Sequence, residues 1–207
     1  AFFEWFEKSP TSASGSTVPI NIQLTNISDT SFSVVWVTGS PATGMVSVAA
    51  PKLAPMTYFD DRDTNGKLNP YTTHMVTVRS LTPSTRYSFR LMSNGKSFAN
   101  NGSPFIISTA STISGGTSGL EPAYGIIHDT KGAPLSGAII LLTLEQGQVL
   151  STLTSASGSW LIPLSLARTL LLDRYIDGSD RKTETIRVVW SDQEASAITD
   201  TLNDSPV

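Results

Sequence analysis

The residues best equipped for chemistry fall in one run, Asp60-Asp61-Arg62-Asp63-Thr64-Asn65-Gly66. From Asp61 it reads D-x-D-x-N-G, the opening half of a calcium loop, with oxygen ligands at alternate positions and a glycine for the bend. Such a loop closes on a bidentate glutamate at position twelve, and Thr72 stands there instead. Asp61, Asp63 and Asn65 are therefore a calcium candidate of low affinity and structural purpose. The plainer expectation, and the preferred one, is a solvated acidic turn that Asp60 joins. No other cofactor is expected. The histidines, His74 and His128, lack a metal-binding spacing such as H-x-x-x-H and have no base or ligand close in sequence. Each is expected at a surface or strand edge. Gly116-Thr117-Ser118-Gly119 fails the register of a G-x-S-x-G nucleophile elbow. The chain has no cysteine, which excludes thiolate metal sites, cysteine nucleophiles and disulfides and leaves the compartment open. With so few reactive groups, an enzyme is not expected. Asn26-Ile27-Ser28 and Asn101-Gly102-Ser103 are sequons, so Asn26 and Asn101 are glycosylation candidates; Asn203-Asp204-Ser205 is followed by Pro206 and ranks below them.

The elements that must carry these residues are strands. Of 207 residues, 39% are hydrophobic and 15% charged, the latter well under the usual share of about 25%. Ser, Thr, Gly, Pro and Asn fill the difference, and they build turns and the outer faces of strands. Ile20, Ile22 and Leu24 alternate with Asn21 and Gln23, and Phe32, Val34 and Trp36 alternate with Ser33 and Val35, the period-two signature of half-buried strands. Further short strands are read at Met45–Ala49, Met75–Leu81, Tyr87–Met92 and Phe105–Ser108, with Asn94-Gly95 and Asn101-Gly102 as hairpin turns. After a Ser/Gly connector at 111–121, strands recur at Ala123–His128, Ala138–Leu144, Val149–Thr154, Ser159–Ile162 and Thr185–Val189. Leu164–Tyr175 has Leu164, Ala167, Leu171 and Tyr175 spaced for one helix face, and reads equally as a leucine-packing loop. The expected fold is all-β: two tandem immunoglobulin-like β-sandwiches at 18–110 and 122–207, preceded by an aromatic segment and linker at 1–17.

Residues 18–110 resemble a fibronectin type III domain. The features that carry this are Pro19 opening the first strand, Ser-Phe-Ser-Val-Val-Trp ending at Trp36, and Leu81-Thr82-Pro83-Ser84-Thr85-Arg86-Tyr87, which matches the family's Leu-x-Pro-x-Thr-x-Tyr corner. The resemblance implies that Trp36 fills the space between the sheets and that the Tyr87 hydroxyl bonds back to upstream backbone. Fibronectin-like domains also precede metallophosphatase domains in some enzymes; this chain shows none of the His and Asp clusters of such a catalytic portion. Residues 122–207 look like the carboxypeptidase-regulatory or transthyretin-like sandwiches, on Gly125-Ile126-Ile127-His128-Asp129, Gly132-Ala133-Pro134-Leu135-Ser136-Gly137-Ala138 and Thr154-Ser155-Ala156-Ser157-Gly158-Ser159-Trp160. Ser157 departs from that pattern, where many members carry an acidic residue. The pairing is similar to prokaryotic cell-surface proteins, which implies an extracellular or cell-surface location and a structural role.

Outside both sandwiches lies Ala1-Phe2-Phe3-Glu4-Trp5-Phe6. Each ring of Phe2, Phe3, Trp5 and Phe6 would bury about 150–250 Å² if packed, a few kcal/mol apiece at about 25 cal/mol per Å². Three destinations compete: a residual membrane-proximal segment, packing against the chain's own first domain, or docking onto a neighbouring subunit; the last, an assembly interface, is the one expected. The functional expectation is a self-associating structural protein, a pilus-like filament subunit, joined through this segment and through strand edges. Other cell-envelope components are further partners, and membrane contact is expected only through a removed or missing N-terminal segment. The alternative is an accessory carbohydrate-binding or adhesion module, which would present Trp160, Trp190, Tyr58 and Tyr71 as an exposed platform. The net charge of −3 and the lack of a basic stripe speak against nucleic acid.

Overall fold

Apolar residues at every second position become strands along most of the chain in the computed structural model, which describes residues 4–6, 15–50 and 54–202. All regular elements among them are β. The chain divides into two units, one spanning Pro10–Thr112 and the other Ala1–Ser9 with Ile113–Val207. The strands are β1 (Glu4–Phe6), β2 (Ile20–Thr25), β3 (Phe32–Ala42), β4 (Gly44–Ala49), β5 (Met56–Phe59), β6 (Tyr71–Val78), β7 (Arg86–Ser93), β8 (Lys96–Phe98), β9 (Phe105–Ser108), β10 (Ala123–Ile126), β11 (Ile139–Leu144), β12 (Val149–Leu153), β13 (Ser159–Ile162), β14 (Thr183–Trp190) and β15 (Gln193–Asp200).

In the first unit, β2-β3-β6 form one sheet, and β5-β4-β7-β8 the other, with β9 also on β7. Phe32, Val34 and Trp36 on β3, Val46 and Val48 on β4, Val76 and Val78 on β6, and Phe89 and Leu91 on β7 make up the core. Their alternation is the reason the sequence pattern reads as two facing sheets. Trp36 is fully buried, as the fibronectin resemblance implies. The Tyr87 hydroxyl accepts a hydrogen bond from the Thr82 backbone N–H at 2.8 Å, so the tyrosine corner is formed. Asn94 (φ 48°) with Gly95 (φ 78°) and Asn101 (φ 48°) with Gly102 (φ 85°) turn the chain at the two predicted hairpins. The first unit is a fibronectin type III-like sandwich.

In the second unit, a five-stranded sheet, β1-β15-β14-β11-β12, is accompanied by the pair β10-β13. Ile140, Leu142 and Leu144 from β11, Ile186 and Val188 from β14, and Ala195 from β15 share one core with Trp160 and Ile162 from β13. Two strands are too few to cover a sheet of this width. The chain after β13 completes the cover, because Leu164, Ala167 and Ile176 join the same core.

That chain corrects the helical alternative for Leu164–Tyr175. It is a hairpin-like loop: Thr169 N–H donates to the Arg174 carbonyl at 3.0 Å and Ile176 N–H to the Ala167 carbonyl at 2.8 Å. Leu172 adopts φ 60°, a conformation incompatible with a continuing helix. Leu164 and Ala167 turn inward, but Leu171, expected on the same face, is 80% exposed.

His74 is a second correction. The strand expected to start at Met75 starts at Tyr71, so His74 lies within it, fully buried. It stacks on Trp36 with ring centroids 4.8 Å apart and planes 10° from parallel. Gly44 makes the room: a Cβ there would lie 2.3 Å from His74 Nδ1 and 2.9 Å from Trp36 Cζ2. His128 is exposed, as expected.

Candidate functional site

The acidic run takes up its position along the edge of β6, the outer strand of its sheet. An edge strand exposes alternate N–H and C=O groups that invite further pairing. Here side chains and one backbone amide meet them in order. Met75 N–H donates to Asp60 Oδ2 at 3.2 Å, and Asp61 N–H donates to the Met75 carbonyl at 2.9 Å. Two residues on, Thr77 N–H donates to Asp61 Oδ1 at 2.9 Å. Two residues back, the Arg62 guanidinium donates to the Thr73 carbonyl. The run imitates a strand and closes the edge to any other.

The same contacts define the electrostatics. The Asp60 side chain is wholly buried and receives Arg62 Nε at 2.7 Å and Arg62 Nη2 at 3.0 Å. His74 Nδ1 stands 3.7 Å from Asp60 Oδ2, beyond hydrogen-bonding reach, and has no hydrogen-bond partner. Burial pushes the Asp60 carboxyl up, but the approach of His74 and the hydrogen bonds and charge of Arg62 outweigh it and hold it below the usual carboxylate range. Asp61 goes the other way: burial raises it, against the opposing hydrogen bonds from Thr77. Arg62 also lies over the Tyr71 ring, 3.5 Å from its centroid, a cation–π contact that holds the guanidinium in place.

These contacts bear on the calcium candidate. Asp63 is buried and its Oδ1 accepts from Asn69 Nδ2 at 2.8 Å and from the Tyr71 hydroxyl at 3.1 Å. Asp61 faces Thr77, and Asn65 lies exposed in the turn. Asp61 and Asp63 are thus each engaged by different partners. Among the described residues, no group of three or more His, Asp or Glu could hold a metal ion. The acidic turn is not simply solvated either, since Asp60 and Asp63 are both buried. Periodicity reasoning missed this role because edge capping depends on which strand lies beside the run.

The second place where predicted residues acquire a partner is the edge of β15. Glu4, Trp5 and Phe6 form β1 and pair antiparallel with Ser196, Ala195 and Glu194. Phe2 and Phe3 lie outside the described residues. The sequence flagged this segment for its aromatic side chains and did not anticipate which strand it would join. β15 itself went unread, for its inward positions are the small residues Ala195 and Ala197.

The four aromatic residues named for the alternative, a carbohydrate platform, are described each in its own unit. Trp160 is 4% exposed, Tyr71 is covered by Arg62, and the Tyr58 hydroxyl donates to the Arg79 carbonyl at 2.9 Å. Trp190 is partly exposed. Of the sequon residues, Asn101 is exposed at its hairpin tip, whereas Asn26 is half-buried and donates from Nδ2 to Ser33 Oγ at 3.1 Å. The Asn203 sequon lies outside the described residues. No helix of the described residues is long and apolar enough to cross a membrane.

The fold therefore defines the class: two tandem β-sandwiches, the first of fibronectin type III-like form. A family model described as Purple acid Phosphatase, N-terminal domain, matches residues 17–107, within the first unit. Among solved structures, the chain is similar to the chicken CNTN1 FN1–FN3 domains, at 12% identity and a TM-score of 0.33, over 88% of this chain and 64% of that one. It is likewise similar to a two-domain fibronectin type III segment of chicken tenascin, at 12% identity and a TM-score of 0.31, over 88% of this chain and 99% of that one. No curated protein matches the chain in sequence.

Proposed function

We propose that this protein is a non-catalytic structural component of the cell surface or extracellular space, which associates with itself into filaments through its N-terminal segment and strand edges. The observation that carries this reading is the ladder of Glu4–Phe6 on β15. It joins the segment singled out for assembly to a strand edge, and a strand edge is the generic surface for β-addition. The first unit supports the same reading. Its histidine and three of its carboxylates, Asp60, Asp61 and Asp63, are engaged in packing and edge closure, an arrangement that favours a rigid spacer over a reactive site.

The carboxypeptidase-regulatory resemblance of the second sandwich belongs to this proposal, because such modules serve as spacers and assembly units. Other envelope components are the further partners it admits. Two experiments test the proposal. Sizing by light scattering and negative-stain microscopy of the purified chain over a concentration series should reveal species larger than one chain, growing with concentration. A monomer at every concentration would contradict self-association. Protease treatment of intact source cells should remove the protein, and complete protection would contradict the surface location.

A further inference from the structure

Taking the self-association reading as its premise, we infer that β1 is an exchangeable strand, donated by one copy of the chain to the β15 edge of the next. The recipient surface is backbone. Among the described residues β1 stands at the end of its sheet, joined to β15 alone, over the register Glu4↔Ser196, Trp5↔Ala195 and Phe6↔Glu194.

Sequence order makes the exchange physically cheap. Between β1 and the remainder of its unit lies the whole of the other unit, Pro10–Thr112, flanked by the Ser/Gly-rich stretches 9–17 and 111–119. The pairing of β1 with its own β15 is therefore held by no turn or short loop. A tether that contains a folded domain gives an effective concentration below the millimolar range of short flexible linkers. The β1 of a second copy makes the identical ladder in the identical register, so the exchanged and unexchanged states differ only in this tethering.

β15 runs through Gln193–Asp200, and among the described residues the ladder covers its 194–196 portion. Beyond it, Ile198 is 73% and Leu202 75% exposed, apolar surface beside the site at which an incoming chain would arrive. The first unit, by contrast, closes the comparable edge of β6 with Asp60, Asp61 and Arg62. One edge is sealed by side chains, and the other is sealed by a removable strand. Donor and acceptor are separate surfaces, so exchange propagates head to tail into a filament, or closes reciprocally as a dimer.

The lack of cysteine supplies a clean test. Directly paired residues of an antiparallel ladder have Cα atoms about 4.5–5.5 Å apart, inside the range a disulfide spans. The single variants Glu4→Cys and Ser196→Cys, one carrying a mass tag, are mixed at high concentration, oxidised and run on a non-reducing gel. The result expected is a tagged–untagged pair at least about tenfold above that from Glu4→Cys mixed with Asn101→Cys, a control at an exposed hairpin tip. In the double variant Glu4→Cys/Ser196→Cys, cross-linked species longer than two chains should appear. Yields equal to the control, with the double variant closing only within single chains, would overturn exchange. A double variant that does not close at all would overturn it too, because β1 would then not seat on β15. Sizing of the unmodified chain separates the two claims. Assembly without a Glu4–Ser196 cross-link between copies ends exchange alone, whereas a monomer at every concentration ends self-association with it.

Discussion

Residue chemistry in this protein is directed at its own backbone. The Tyr87 hydroxyl holds Thr82 N–H, and removing it leaves that donor without its partner. Tyr87→Phe should lower stability by about 1–3 kcal/mol, read as a lower urea midpoint with unchanged slope. Asp60 gives a pH signature. Its folded-state carboxyl titrates below the ordinary value of 3.8, so its contribution is complete above that value and is lost as the pH falls through the folded one. Asp61, raised by burial, contributes with the opposite sign, its cost easing as it protonates. Comparison with Asp60→Asn isolates the first. The wild type should be the more stable at neutral pH, and the gap in thermal midpoint should close as the pH is taken below 3.8. A gap that stays constant into acid would show that the Asp60 charge contributes nothing.

At the scale of elements, legibility followed the size of the inward side chains. β3, with Phe32, Val34 and Trp36 on one face, and β11, with Ile140 and Leu142, announce themselves by large alternating residues. β15 buries only alanines among its inward positions, so its alternation carries little hydrophobic contrast and escaped notice. The Leu164–Tyr175 loop shows the converse failure. Its leucines have helical spacing, yet the loop divides them between core and solvent. The acidic run reads as metal chemistry because its residue types are shared by ligands and by edge caps, and only the neighbouring strand separates the two. This gives an element-level expectation. Asp61→Ala strips Thr77 N–H of its acceptor and reopens part of the β6 edge, costing about 1–3 kcal/mol. Light scattering on mild heating should show earlier aggregation than in the wild type.

For the whole molecule, the order of the chain matters as much as the fold of each unit. Fold class, the first sandwich's core tryptophan and its tyrosine corner could all be read from residue types and spacing. The destination of the N-terminal segment could not, because β1 completes the unit farther from it in sequence, and pairing at that separation leaves no local signal. That long-range pairing is what links the architecture to a self-associating role. The most direct test is sedimentation and negative-stain microscopy of the intact chain beside a variant lacking residues 1–8, across matched concentrations. Concentration-dependent assemblies should form from the intact chain and vanish on deletion, with both sandwiches still folded by circular dichroism. Assemblies that persist unchanged without those residues would contradict association through the N-terminal segment.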